Sequence, residues 1–210
     1  MAISTYAELQ TATANWLDRT DLTSQIPNFI DLAEATFNRT IRNHRMITKN
    51  DSYSLGARYV NLPTDTLEII RIVLDTSPVI TLEYLTPEEI AERRMGLSST
   101  GKPIYFTVVG GSTNQIELLR SPGETYTSSI VYYTKIPALS DSATTNWLLT
   151  NHPDIYLFGT LVEAEPYLKN DERMPMWSAR LSKALEELKL QSEREMHTGS
   201  SLRMRSRVLG

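Results

Sequence analysis

Cysteine is absent from all 210 residues, which removes disulfides, thiolate metal sites and thiol nucleophiles together. A basic excess is absent too. Lys and Arg number 21 against 25 Asp and Glu, for a formal net charge of -4. A protein that coats DNA neutralises phosphates with surplus cations, so that role is disfavoured. No run of about twenty apolar residues occurs, so no segment is expected to span a bilayer. The opening MAISTYAELQ lacks a basic stretch followed by an apolar one, so no secretory signal is expected. The chain reads as a soluble protein made in a cytoplasm. Its one adjacent glycine pair, Gly110-Gly111, lacks the further glycines and the Lys-Ser/Thr of a phosphate-binding loop. No Gly-x-Ser-x-Gly elbow is found. The three histidines, His44, His152 and His197, fall in different expected elements without metal-ligand spacing.

What is present is enough for a core. The apolar fraction of 40% is ordinary for a globular protein, and the length suits one substantial domain or a core domain with a smaller insert. Thr5 and Glu8 have capping-box spacing ahead of a helix whose apolar positions are Leu9, Ala12, Trp16 and Leu17. Pro27 suits the first turn of a second helix. There Ile26, Ile30, Ala33, Phe37 and Ile41 form one stripe at about 100° per residue. Leu32 and Ala35 spill beyond that stripe. Arg39, Arg42 and Arg45 crowd the helix end, where cations suit the macrodipole. His44 continues the stripe as a boundary histidine with a structural hydrogen bond.

From Asp51 to about Pro137 short β-branched and aromatic runs alternate with Gly, Pro, Asn and Ser. Strands are expected at Tyr53–Leu55, Tyr59–Leu62, Leu67–Leu74, Val79–Tyr84, Ile104–Val109, Gln115–Leu119 and Ser128–Lys135. Thr86, Pro87 and Glu89 supply an N-cap, a first-turn proline and a capping-box glutamate for one short helix. After the polar linker LSDSATTNW, a helix follows Pro153 and runs to Lys169, and Ile155 is expected to add an apolar face beyond its main stripe. A last helix runs from about Asp171 to Met196 on a stripe of Met174, Trp177, Leu181, Ala184, Leu185 and Leu188. The expected fold class is α+β. N- and C-terminal helices (residues 1–50 and 146–197) form a bundle around an inserted antiparallel β-rich domain (51–145), followed by an extended basic arm (198–210).

Two glutamates and a proline interrupt the apolar helix in LVEAEPYLK. Glu163 and Glu165 lie about 200° apart around a helix, so they cannot converge on one substrate atom. Glu165 falls on the apolar face and is expected to hold a structural polar contact with an arginine of a neighbouring helix or subunit. Pro166 removes a helical hydrogen bond and is expected to kink the helix. The stretch is scaffold. No catalytic, cofactor-binding or metal-binding residue is assigned, and no cofactor is expected.

Several stretches carry a family resemblance: TYAELQTATANWLDRTDLTSQIPNFIDLAEATFNR, LEYLTPEEI, GKPIYFTVVGG, YYTKIPALSDSATTNWLL and HPDIYLFGTLVEAEPYLKNDERMPMW. Together they resemble the head–tail connector adaptors of tailed bacteriophages and prophages, which are similar in organisation to the tail tubular protein A class. The resemblance covers nearly the whole chain. It implies a structural virion protein, not an enzyme, that forms a cyclic homo-oligomer, commonly of twelve copies. Such a ring joins the capsid portal protein to a downstream tail or nozzle protein, and genomic DNA passes its bore without sequence-specific binding. It also implies that the C-terminal segment is an arm gripping the portal through Leu202, Arg203, Met204, Arg205, Arg207, Val208 and Leu209. The arginines would meet carboxylates and the apolar residues would fill pockets. The runner-up, a phage enzyme such as a peptidoglycan hydrolase, would need a carboxylate or histidine constellation that the sequence does not offer.

Overall fold

A computed structural model describes residues 2–96, 100–111, 113–168 and 173–197. The fold is α+β, as expected, and the chain forms two compact units. One combines residues 1–44 with those from 136 onwards; the other is residues 45–135. The C-terminal arm lies outside the described residues.

The first unit is helical. Helix α1 (Tyr6–Leu17) opens on the expected capping box: the Thr5 hydroxyl accepts from Glu8 N–H at 3.3 Å, and the Glu8 carboxylate accepts from Thr5 N–H at 3.0 Å. Helix α2 (Ile26–Thr40) carries Pro27 in its first turn and buries Ile26, Ile30, Ala33 and Phe37. These are followed in the chain by the insert and, after it, by α4 (Trp147–Asn151), α5 (Pro153–Leu168) and α6 (Met174–His197). Helix α5 is central and packs against α1, α2, α4 and α6. That explains why it is apolar around most of its circumference. Gly159 of α5 sits directly on the Phe37 ring and Ala33 of α2, so the absence of a side chain there lets the two backbones approach. On α6 the expected stripe turns inward, with Trp177, Ala184 and Leu188 buried.

Two expected positions are corrected. Trp16 is 44% exposed and meets Phe158 edge-on, because Tyr6, Leu9, Thr13 and Leu17 already fill the inner face of α1. Ile155, expected to add an outward apolar face, is buried at 1% exposure, while Leu32 does face out at 51%.

Among its described residues the second unit holds eight strands. They are β1 (Ile47–Leu55), β2 (Tyr59–Asn61), β3 (Thr66–Leu74), β4 (Ile80–Thr81), β5 (Glu83–Tyr84), β6 (Tyr105–Val109), β7 (Gln115–Leu119) and β8 (Tyr126–Thr134), with α3 (Pro87–Gly96) between β5 and β6. One sheet has the order β1-β8-β3-β4 and the other β2-β7-β6-β5; all pairs are antiparallel except β5 with β6. Ser128, Ile130 and Tyr132 of β8 are buried at every second position, the period of a pleated strand with one face inward. Ile130 and Tyr132 join Leu55, Ile72, Phe106 and Ile116 in a shared core. The expected single strand over Val79–Tyr84 is instead two. Leu82 enters the core between them and donates its N–H to Ile72 O at 2.9 Å, so the chain changes sheets there. Helix α3 has its reciprocal Thr86–Glu89 cap, with contacts of 3.0 and 3.3 Å.

Candidate functional site

Reactive side chains meet in one place that has the outline of a catalytic group. His44 Nε2 lies 2.9 Å from Glu195 Oε2, and its Nδ1 lies 3.5 Å from Ser192 Oγ. Ser192 and Glu195 are three residues apart on α6, hence on one face. The serine is only 2% exposed, and its Oγ accepts the backbone N–H of His44 at 3.0 Å. A hydroxyl so enclosed and so engaged offers no nucleophile to a substrate. The cluster fastens the end of α6 to the chain beyond α2, the structural hydrogen bond expected of His44. His152 caps α4 through its N–H to Leu148 O at 2.8 Å, and His197 ends α6. Among the described residues no group of three or more His, Cys, Asp or Glu side chains could hold a metal ion.

The most enclosed carboxylate is Glu34 on α2, at 6% exposure. Its Oε1 accepts the Leu139 N–H at 2.9 Å and the Tyr156 hydroxyl at 3.0 Å. Tyr156 Oη in turn accepts from Asn146 Nδ2 at 2.6 Å, and the same amide group donates to Pro137 O at 2.7 Å. Asn146 Oδ1 accepts from Leu149 N–H at 2.9 Å, which makes it the N-cap of α4. One turn further along α2, Asn38 Oδ1 accepts from Ile136 N–H at 2.8 Å. Two α2 side chains four residues apart therefore hold the backbone of the segment that returns from the insert. Every buried polar atom of this relay has a partner, the condition under which a buried network specifies a structure. Burial pushes the Glu34 carboxyl above its ordinary value, opposed in part by its hydrogen bonds to Leu139 and Tyr156. Burial and the neighbouring Glu34 push the Tyr156 phenol up, so it stays protonated and donates.

A pH effect follows from the sign of the Glu34 shift. A carboxyl raised in the folded state binds its proton more tightly there, so its contribution is full below the ordinary glutamate range. It is lost as pH rises through the raised value. Glu34→Gln keeps an Oε1 acceptor for both donors and cannot ionise. The variant is expected to be at least as stable as the parent at neutral pH and to lose that part of the decline with pH. Glu34→Ala strands two buried donors and is expected to lose about 1–3 kcal/mol. Melting curves from about pH 4 to about pH 8 separate the two. A glutamine variant as weak as the alanine one would show that the charge itself is required.

The residues singled out from sequence lie apart from this relay. Glu163 is the one of its pair with a cross-helix contact, accepting from Thr36 Oγ1 of α2 at 3.1 Å. Glu165 is partly exposed, and among the described residues no hydrogen bond or ion pair is seen to it. Pro166 lies inside the last turn of α5, which runs on to Leu168. Leu202, Arg203, Met204, Arg205, Arg207, Val208 and Leu209 lie outside the described residues. In the strand unit, Glu117 of β7 takes Arg58 and Arg94 on one oxygen, each at 2.6 Å, an ion-pair cluster that ties α3 to the sheet. Sequence reasoning passed over Glu34, Asn146 and Tyr156. The signal was there for two of them: Glu34 is flanked by Ile30, Ala33 and Phe37 of the apolar stripe, and Asn146 directly precedes a helix.

The polar geometry is that of a scaffold, and the comparison with known families accords with it. The model of the family described as SU10 adaptor protein matches residues 4–205. The chain belongs to the SU10 adaptor protein family. This adaptor is thus a phage protein of the head–tail adaptor type, a component of the virion that contacts other phage proteins. A comparison with curated proteins finds no match. Among the described residues of the adaptor no helix is long and apolar enough to cross a membrane.

Proposed function

We propose that this adaptor is a non-enzymatic subunit of a closed ring at the head–tail interface of the virion. Its organisation is similar to that of the tail tubular protein A class. The ring, of twelve copies, sits between the portal protein and the next tail or nozzle protein, and the genome leaves through its bore. The observation that carries the reading is the family match across residues 4–205. Two features of the helical unit support it. Its most enclosed carboxylate and its clustered histidine are spent on internal contacts, Glu34 in the relay and His44 with Glu195. Leu32, Met176 and Leu190 keep about half their surface in solvent, and exposed apolar side chains mark contact surfaces when they gather on one face. A partner for Glu165 from a neighbouring subunit would complete the contact expected on sequence grounds.

A closed cyclic assembly has fixed stoichiometry. Capsids carrying portal but lacking this protein, incubated with the purified chain, are expected to take up a constant number of copies per vertex. That number should not change with further excess. Quantitative mass spectrometry of the washed particles gives it. Uptake that rises without limit, or a few copies scattered over the shell, would contradict the ring.

A further inference from the structure

In the strand unit, three large apolar side chains that remain exposed, Ile70 at 47%, Tyr84 at 55% and Val108 at 37%, line a single cleft of about 450 Å³. Leu62, Leu82 and Phe106, all buried, belong to the same lining. The walls are two open sheet edges. Strand β3 pairs with β4 only at Val73 and Leu74, so from Thr66 to Ile70 that edge has no strand partner among the described residues. Strand β6 pairs with β5 only at Tyr105 and Phe106, which leaves the same side of Thr107–Val109 open. Register shifts at Leu67 and Ile70 mark bulges in β3, and both residues line the cleft. Bulges of this kind re-aim side chains beside binding sites. An apolar floor and two unpaired ladder edges describe the seat of a missing strand.

The chain supplies a segment of the right pattern. Thirteen residues follow His197, and in them Leu202, Met204 and Val208 alternate with Arg203, Arg205 and Arg207. As a strand, this stretch puts its arginines on one face and the apolar residues on the other, and it extends about 26 Å at about 3.3 Å per residue. That is ample for the Thr66–Ile70 edge. Of the charged residues in the lining, Glu68 attracts arginine and Arg71 repels it, so the fit rests on backbone pairing and the apolar face. We propose that the C-terminal segment of one copy adds as a strand to this cleft on a neighbouring copy, in place of the grip on the portal that the family resemblance implies. The inference rests on the ring reading and deepens it. A donor segment and an acceptor cleft are different surfaces, and contacts between different surfaces propagate head to tail until the ring closes.

Because the chain has no cysteine, paired thiols can be placed at will. Met204→Cys protein is mixed with Ile70→Cys protein, or with Val108→Cys protein to cover a second register, assembled on portal-bearing capsids and oxidised. Disulfide-linked dimers of this chain are expected in one or both mixtures. They should be absent when Met95→Cys, a position 88% exposed on α3, replaces the cleft variants. Rings that form without these dimers, or dimers equally abundant with Met95→Cys, overturn the proposal; the segment then grips another protein, the portal first among them. A protein carrying both Met204→Cys and Ile70→Cys that closes only an internal loop overturns it also. Absence of rings from the parent sample by negative-stain microscopy removes the ring reading and the proposal with it.

Discussion

Trp177→Ala is expected to cost the helical unit about 3–5 kcal/mol, the range for removing a fully buried large aromatic side chain. Trp177 is 1% exposed and sits in the first turn of α6, with the Arg173 guanidinium 5.0 Å from its ring. It is the largest enclosed side chain among the described residues. The stripe that holds α6 against α5 begins with it, and Ala184 and Leu188 continue the stripe with far less volume. Trp177 Nε1 has no hydrogen-bond partner among the described residues. Trp177→Phe keeps most of the packing and removes that unpaired donor, so it should lose clearly less than the alanine variant. Urea unfolding followed by helical circular dichroism gives both numbers. An alanine variant within about 1 kcal/mol of the parent would mean that α6 does not depend on this anchor.

Gly159 gives the opposite experiment, in which adding atoms destabilises. A Cβ built at this position would overlap Phe37 Cζ and lie 2.9 Å from Cε1, with Ala33 Cβ at 3.5 Å. Ring ends yield easily at a surface, but Phe37 is 1% exposed and meets Tyr156 edge-on with centroids 5.3 Å apart. Tyr156 is itself held by Glu34 and Asn146, so the ring has nowhere to go without disturbing the relay. Alanine brings about 1 kcal/mol of helix propensity over glycine. Overpacking costs about 1–3 kcal/mol, so Gly159→Ala is expected to be destabilised by up to about 2 kcal/mol on balance. Gly159→Val, with two further methyls and a β-branch, should be considerably worse. A stabilised alanine variant in a denaturant series would show that α2 and α5 can move apart freely.

Helix caps and stripes were legible in the sequence because each depends on residues within one or two turns. Thr5 with Glu8, Thr86 with Glu89, and the run Trp177, Ala184, Leu188 all behave as their spacing implies. The β6–β7 hairpin is local in the same sense, its strands flanking the Gly110-Gly111 pair. Strand order is not local. β8 lies between β1 and β3, partners more than fifty residues away, and no periodicity reports such a pairing. The division of Val79–Tyr84 at Leu82 comes from the same source, since two sheets compete for one short run. Trp16 and Ile155 show the limit of a stripe, which says that a face is apolar but not how much of it neighbours will cover. Glu165 and Glu34 show it for charge. Both sit on apolar faces, and only the packing of α4, α5 and the returning segment decides which one is enclosed. The LSDSATTNW stretch reads as a polar linker by composition, yet it contributes buried Leu139 and the Asn146 cap, because its polar atoms are satisfied by α2 and α5.

The ring is tested most directly by a single-particle reconstruction of the portal vertex in virions carrying this chain, refined without imposed symmetry. The predicted result is one closed ring of this protein between portal and tail, with α2 and α6 placed against neighbouring protein and an open bore on the axis. Density for single or scattered copies, or a vertex whose portal meets the tail with this chain elsewhere in the particle, would contradict it.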